Sequence, residues 1–176
     1  VFQNPIAGFT FNDVCLGDSM GFTNTSSVSL PASVSSYLWT FGDSAPTSNL
    51  VNPNHYYANA GAYNVALIAT TADACADTVT IPVNVFDPPA GAFTFANTCL
   101  FDSAKFTNIT LDPATGTVAN WSWNFGDGSA LNTTEYSPSH LFASPGNYEV
   151  VLISYSSNLG CADTLKDSIT IFPMPL

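Results

Sequence analysis

One five-residue segment occurs twice in this chain of 176 residues, and that repetition limits what the chain can fold into. Trp39-Thr40-Phe41-Gly42-Asp43 returns 84 residues later as Trp123-Asn124-Phe125-Gly126-Asp127. A period of this length is typical of tandem modules, each near the size of a small β-sandwich. The repeat therefore predicts two domains, residues 1–86 and residues 87–176, instead of a single large one.

Each copy of this segment reads as a strand that ends in a tight turn. The Trp and the Phe are two positions apart, so on a pleated strand both side chains point to one face and can enter one core. The Gly permits a positive φ, and the Asp can accept hydrogen bonds from the amides of its own turn. We therefore expect Asp43 and Asp127 to have a structural role, with ligand binding as the alternative.

Other segments recur at a similar interval and read as short strands. The clearest is residues 61–67, whose counterpart is residues 146–152. The alternation of Tyr63, Val65 and Leu67 with small or polar residues predicts that these three side chains face a core. About seven short strands per repeat, frequent turn residues and the absence of a helical period predict an all-β fold of two antiparallel β-sandwiches.

The charge of the chain excludes two classes of partner. Its formal net charge is −11, because 13 carboxylates face only two cations, Lys105 and Lys166. Two cations cannot neutralise a row of phosphates, so we expect no nucleic-acid partner. The negative charge also repels anionic membrane surfaces, and no apolar run approaches the roughly 20 residues that span a bilayer. Charged residues make up 9% of the chain, a composition that suits a secreted or cell-surface protein.

A connector-like segment occurs at three places in the chain. Residues 1–5, 85–89 and 171–175 each combine the apolar end of a strand with proline. Three such connectors with two domains between them predict that the chain is a segment of a longer array. Nothing at Val1 resembles a signal peptide, so we expect any such segment to have been removed or to lie outside these residues.

The four cysteines fall as two per repeat. We predict one disulfide inside each repeat, Cys15 with Cys75 and Cys99 with Cys161. A bridge that closes a loop of this length stabilises a fold by about 4 kcal/mol in the chain-entropy model. Disulfides indicate an oxidising, extracellular compartment. The alternative is four buried free thiols.

Several motifs taken together resemble a known family. Along each repeat the chain has Trp-x-Phe-Gly-Asp, then Pro-x-His (residues 53–55 and 138–140), then Gly-x-Tyr-x-Val-x-Leu. This order resembles the polycystic kidney disease (PKD) domain, an immunoglobulin-like β-sandwich. Gly128 completes the motif in the second repeat, whereas Ser44 stands in that place in the first. The cysteines, an Asp-Ser step before the second strand and Cys-Ala-Asp-Thr are similar to the variant in multidomain surface proteins of Bacteroidota.

The resemblance implies a non-catalytic extracellular module. PKD domains serve as spacers and contact modules, and some members bind proteins, polysaccharides or calcium. Where calcium binds, it lies near the loop before the tryptophan strand. Calcium takes about six to eight oxygen ligands, so the candidate site is Asp112 of that loop with Asp127. The matching loop of the first repeat has only hydroxyls and Pro31. We expect no cofactor, with calcium as the one alternative.

A second recurring pattern is Asp, then Ser or Thr, then an apolar residue. It resembles the O-glycosylation sequon of Bacteroidota, in which the hydroxyl carries the sugar. The alternative is ordinary capping at strand starts. The candidate hydroxyls are those of Ser19, Ser44, Thr78, Ser103, Thr164 and Ser168. Asn-x-Ser/Thr triplets that matter only in a eukaryotic source begin at Asn24, Asn108, Asn120 and Asn132.

The two histidines, His55 and His140, occupy equivalent positions in the two repeats. Repetition at one position per module predicts packing beside the tryptophan strand, because catalysis would require other groups to converge on them. We find no nucleophile elbow, phosphate loop or paired-carboxylate motif, so we do not expect an enzyme.

Three functions remain for comparison. The first is a spacer and adhesion module at the cell surface that contacts neighbouring repeats and a protein or polysaccharide. The second is a segment of a self-assembling extracellular fibre. The third is an accessory glycan-binding module of a secreted hydrolase, with Tyr56, Tyr57 and Tyr136 as exposed aromatic side chains.

Overall fold

The computed structural model of the chain describes residues 3–115 and 117–174. In this part of the chain every regular element is a β-strand, and no helix could span a membrane. The chain divides into two compact units, Val1–Phe86 and Asp87–Leu176. Each unit has its own hydrophobic core. The prediction of an all-β chain with two tandem immunoglobulin-like sandwiches is confirmed.

From residue 3 onward, where the structure describes it, the first unit contains eight strands. They are β1 (Phe9–Thr10), β2 (Val14–Cys15), β3 (Ser19–Gly21), β4 (Thr23–Asn24), β5 (Val34–Thr40), β6 (Asn54–Tyr56), β7 (Gly61–Thr71) and β8 (Ala76–Phe86). The main sheet has the order β2-β8-β7-β5, and β1-β4 and β3-β6 form two short ladders opposite it. The β2–β8 ladder is parallel and the others are antiparallel.

The second unit repeats this plan with seven strands in its described residues, 87–115 and 117–174. They are β9 (Phe93–Phe95), β10 (Thr98–Cys99), β11 (Ala104–Asn108), β12 (Asn120–Asn124), β13 (Ser139–His140), β14 (Gly146–Tyr155) and β15 (Ala162–Phe172). The main sheet has the order β10-β15-β14-β12, and the second sheet has the order β13-β11-β9. The β10–β15 ladder is parallel, like β2–β8.

The core of each unit lies between its sheets and follows the predicted alternation. On β7, Val65 and Leu67 are fully buried, and Tyr63 is half-buried against the same core. On β14, Val150 and Leu152 occupy the equivalent positions and are also fully buried. One apolar face per strand thus closes each sandwich, because side chains alternate between the two faces of a sheet.

Truncation of a leucine should lower the stability of the fold by different amounts on the two faces of the β5–β7 ladder. Leu67 lies opposite Trp39 on the core face and is fully buried, whereas Leu38 lies opposite Ile68 and is 37% exposed. We expect Leu67→Ala to lower the free energy of unfolding by about 2–5 kcal/mol, because it leaves a cavity. Leu38→Ala should cost less than about 1 kcal/mol. Urea unfolding followed by circular dichroism measures both, and equal losses would contradict the assignment of the core face.

Candidate functional site

The repeated turn joins the two sheets of each unit through a carboxylate and an imidazole. Asp43 follows β5 of the main sheet, while His55 lies on β6 of the opposite ladder. His55 Nε2 lies 2.6 Å from Asp43 Oδ2. In the second unit, His140 Nε2 lies 2.7 Å from Asp127 Oδ2. We call each of these two contacts the Asp–His clamp.

Aromatic rings hold each imidazole in place. The His55 ring lies flat on Phe41 with ring centroids 4.0 Å apart, and the edge contact with Tyr57 is at 4.6 Å. His140 stacks on Phe125, also at 4.0 Å, and meets Phe142 edge to face. These contacts give the histidines the packing position that the sequence analysis expected.

Each clamp carboxylate also accepts a hydrogen bond from an amide of its own turn. Oδ1 of Asp43 accepts a hydrogen bond from the Ala45 N–H at 3.1 Å, and Oδ1 of Asp127 accepts one from the Ser129 N–H at 3.0 Å. The motif predicts these turn bonds, whereas the contact with the imidazole was not predicted from the sequence. The signal was available, since an Asp and a His recur in both repeats at nearly the same spacing.

The environment of each clamp carboxylate favours its ionised form. Desolvation by burial alone would raise the pKa of Asp43, but the hydrogen bonds from His55 and from the Ala45 amide outweigh it and lower the pKa. Burial alone would also raise the pKa of Asp127. The hydrogen bonds from Ser129 and His140 outweigh this effect and lower the pKa to about 2. Desolvation, followed by the charge of Asp43, raises the pKa of Tyr57.

These contacts show what the clamp can do chemically. A carboxylate and an imidazole are two members of a hydrolase triad, in which the imidazole must also reach a nucleophile. Here the imidazole rings are enclosed by aromatic side chains, and the Tyr57 hydroxyl donates to the Phe41 carbonyl at 3.1 Å. Among residues 3–115 and 117–174, no group of three or more His, Cys, Asp or Glu side chains could hold a metal ion. The geometry supports a clamp between sheets.

The glycine of each turn allows the backbone to approach the neighbouring strand. Gly42 has φ +82°, and a Cβ there would lie 2.6 Å from the Asn64 carbonyl oxygen on β7. Gly126 has φ +75°, and a Cβ there would overlap the Glu149 carbonyl oxygen on β14. Both the positive φ and the close approach exclude a larger residue. The motif Gly is therefore required by the packing of the turn on the main sheet.

The cysteines do not form the two predicted disulfides. Cys15 and Cys161 are disulfide-bonded, whereas Cys75 and Cys99 have free thiols. The prediction of Cys15 with Cys75 and Cys99 with Cys161 is therefore wrong, and so is the alternative of four free thiols.

Strand length is the physical reason for this outcome. Cys15 lies beside Phe86 at one end of β8, and Cys75 directly precedes Ala76 at the other end. A strand of 11 residues spans about 35 Å. A disulfide needs Cα atoms within about 7 Å. Cys99 and Cys161 are separated in the same way, because they lie at opposite ends of β15.

The two aspartates of the candidate calcium site have separate partners. Asp112 is buried, and its carboxylate accepts hydrogen bonds from the amides of Ala114 at 2.9 Å and Ser157 at 3.3 Å. Asp127 belongs to the clamp. The Asp112 carboxylate thus connects its loop to the segment after β14. Calcium binding at Asp112 and Asp127 stays a prediction.

All six candidate glycosylation residues are exposed. The residues are Ser19, Ser44, Thr78, Ser103, Thr164 and Ser168. Three of the preceding aspartates have structural roles of their own. Asp77 accepts from the Ala7 amide, Asp163 from the amides of Gly91 and Thr164, and Asp167 from the Ser168 amide. Hydrogen bonds to local and distant amides therefore account for these aspartates, and modification of the hydroxyls stays a prediction.

Only two of the three tyrosines proposed for glycan contact are available to a ligand. Tyr56 is 58% exposed and Tyr136 is 38% exposed, but Tyr57 is buried. The expectation that Tyr57 is exposed is therefore wrong, because its ring packs on Tyr63 and His55. An open groove of ≈ 520 Å³ lies instead on the outer face of β5 and β7. Its lining comprises Ser35, Ser36, Tyr37, Leu38, Asn49, Val51, Ile68 and Thr70.

The glycine positions yield a test with a matched control in the same turn. Gly128 also has a positive φ, +83°, but a Cβ there would meet nothing within 4 Å. We expect Gly128→Ala to cost about 1–2 kcal/mol from backbone strain alone. Gly126→Ala should cost a further 1–3 kcal/mol or so, because its Cβ overlaps β14. Thermal and urea unfolding of the two variants measure the difference; similar losses would show that the close approach does not constrain the turn.

The lowered pKa of Asp127 predicts how stability depends on pH. Its ordinary value is about 3.9, so the carboxylate stabilises the fold fully above about pH 4, and this contribution declines as the pH falls toward 2. We expect Asp127→Asn to lose about 1–3 kcal/mol at pH 7 and to show a shallower decline between pH 4 and pH 2. Urea unfolding across this range is the measurement.

The exposed Asp102 supplies the control for this experiment. Asp102→Asn should keep both the stability at pH 7 and the steep decline in acid. If Asp127→Asn declines as steeply as the control, the carboxylate does not carry the acid sensitivity.

Comparison with known proteins identifies the architecture. The family model of the PKD domain matches residues 3–85 and again residues 87–171. The PKD1 domain of Vibrio anguillarum Epp is 30% identical, covers 49% of this chain and 98% of its own, and has a TM-score of 0.45. The PKD1 domain from the Vibrio cholerae metalloprotease PrtV is 34% identical, with coverage of 47% and 96% and a TM-score of 0.42.

A similarity in fold alone extends to immunoglobulin domains. The N-terminal eight Ig domains of Down Syndrome Cell Adhesion Molecule match with 16% identity and a TM-score of 0.50. That match covers 99% of this chain and 25% of the other. With the family model matched twice over nearly all residues, the chain belongs to the PKD domain family and consists of two such domains in tandem.

Proposed function

We propose that the chain is a non-catalytic module of a secreted or cell-surface protein, where it acts as a spacer and adhesion element within a longer array. The observation that carries the proposal is the Asp–His clamp, which commits the same polar groups to internal contacts in both units. PKD and immunoglobulin-like domains are typically non-catalytic, and PKD domains occur in extracellular proteins. Disulfide-bonded cysteines suit the same compartment.

The groove on β5 and β7 supports contact with a protein or polysaccharide. Leu38, Val51 and Ile68 give it apolar surface, while serine, asparagine and threonine side chains supply hydrogen-bonding groups. A site of this kind, apolar with a few polar groups, suits a neutral polymer. The net charge of −11 disfavours anionic polymers.

A fibre subunit is the second candidate function. β5 and β12 lie at the ends of their main sheets, where a strand from another molecule could be added. Each of these strands already has a local cover, because Trp39 bridges to Ser48 and Trp123 bridges to Asn132. We therefore favour the spacer and adhesion role.

The test of the proposed function combines retention with turnover. Beads coated with the chain are passed over films of neutral cell-surface polysaccharides and of extracellular protein, and soluble products are assayed in parallel. We expect retention on at least one film and no products. Leu38→Glu should reduce retention several-fold, because a charge enters the apolar part of the groove. Leu131→Glu, an exposed leucine outside the groove lining, serves as the control.

Three outcomes would contradict the proposal or part of it. Products that disappear in Asp127→Asn would indicate an enzyme. Failure to be retained on every film would remove the adhesion role. Light scattering that shows multimers surviving dilution would favour the fibre.

A further inference from the structure

The cysteines fall into two structural kinds, each present once per unit. The strand cysteines are Cys15 and Cys99, which end β2 and β10 and lie beside Phe86 and Phe172. Their carbonyl oxygens accept hydrogen bonds from the Asp18 amide at 3.0 Å and the Asp102 amide at 3.1 Å, respectively.

The turn cysteines are Cys75 and Cys161, which directly precede β8 and β15. The Cys75 carbonyl accepts from the Thr71 amide at 2.9 Å, and the Cys161 carbonyl accepts from the Ser156 amide at 2.8 Å. Each kind therefore has the same backbone setting in both units.

For both the strand cysteines and the turn cysteines, the oxidation state differs between the two units. Cys15 is disulfide-bonded, and its equivalent Cys99 is free. Cys161 is disulfide-bonded, and its equivalent Cys75 is free. The two oxidised cysteines thus comprise one of each kind, and so do the two free ones. Each backbone setting thus accommodates a disulfide in one unit, although the bonded Cys161 is buried and its free equivalent Cys75 is half-buried.

If a free thiol forms a disulfide, the second cysteine must come from outside its own unit. Within a unit, the strand cysteine and the turn cysteine lie at opposite ends of a long strand, about 35 Å apart. Both free thiols are partly accessible, since Cys75 and Cys99 are half-buried. Cys75 follows the exposed turn residues 72–74.

An apolar residue beside Cys99 indicates a contact surface. Phe101 is 72% exposed and has φ +72°, a conformation that is strained for an aromatic residue. Its equivalent in the first unit is Gly17, which adopts φ +102° without a side chain. The exposed ring therefore adds apolar surface next to the free thiol.

We propose that Cys99 and Cys75 are the covalent connection points of the chain, joining strand cysteine to turn cysteine between successive repeats. Cys99 bonds to the turn cysteine of a following repeat, and Cys75 bonds to the strand cysteine of a preceding one. Between separate copies of this chain, the bond is Cys99 of one copy to Cys75 of the next. This inference rests on the proposed array, and it adds the chemistry that links the members.

The reaction needs an oxidant, and a small-molecule disulfide can serve. The Cys99 thiolate attacks oxidised glutathione and forms a mixed disulfide with one half of it. The S–S bond of the glutathione breaks, and the other half leaves as a thiol. The Cys75 thiolate of the second copy then attacks the mixed disulfide and releases the second glutathione. Two protein thiols lose two protons and two electrons, and one protein disulfide forms.

The experiment uses two single variants of the whole chain. The Cys75→Ser variant keeps Cys99, a strand cysteine, as its free thiol. The Cys99→Ser variant keeps Cys75, a turn cysteine, as its free thiol. Each variant alone, and an equimolar mixture, is incubated with a reduced and oxidised glutathione buffer and analysed by non-reducing electrophoresis and intact mass. We expect the mixture to form at least ten-fold more disulfide-linked dimer than either variant alone, with a Cys99–Cys75 peptide in the digest. Wild-type chain should form a ladder of multimers.

The double variant Cys75→Ser, Cys99→Ser controls for exchange at the other two cysteines and should stay monomeric. The inference is overturned if a single variant dimerises as well as the mixture, or if the mixture yields only glutathione adducts. Bead retention by monomeric chain is measured separately. Loss of cross-linking with retention intact therefore counts against the connection points alone, and the reverse result counts against the proposed function alone.

Discussion

A bond between a carboxylate and an imidazole joins the two sheets of each unit. Asp43 stands where the main sheet ends and His55 stands on the opposite ladder, so their contact at 2.6 Å ties the two layers at one point. The aromatic rings shield that contact, and the His55 and Asp43 side chains are only 13% and 16% exposed. A charge-assisted hydrogen bond in such a setting is stronger than one at the surface. The motif Gly then becomes necessary, since only a residue without a Cβ lets the turn lie this close to β7.

The two units show which features of the core can vary around this bond. The Trp39 indole N–H donates to the Leu50 carbonyl at 2.9 Å. In the second unit, the Trp123 indole nitrogen is buried and has no hydrogen-bond partner among the described residues. An unmade bond of this kind costs about 1–3 kcal/mol. The second unit keeps the same fold despite it, because its clamp, ring stack and apolar strands are unchanged.

The sequence predicted those parts of the structure that depend on neighbouring residues. The alternation on β7 and β14 identified the buried Val65 and Leu67 and their counterparts, because a pleated strand fixes which side chains share a face. The Asp–His clamp was missed because its two residues meet through the packing of separate sheets. Tyr57 was misassigned for the same reason, since only the fold shows that its ring lies against His55 and Tyr63. The predicted disulfides failed on length, because β8 and β15 carry the two cysteines of a unit to opposite ends.

The position of the cysteines follows from what the clamp already provides. A module of about 85 residues with a closed aromatic core does not depend on an internal disulfide, as much smaller domains do. A disulfide inside the unit is excluded by distance, because its two cysteines lie at opposite ends of a strand about 35 Å long. In the proposed array, a cysteine at each end of a long strand would instead resist force applied along the array without altering the interior. Under the proposal made above, the core of each module holds the fold and the cysteines at the strand ends hold the neighbouring modules.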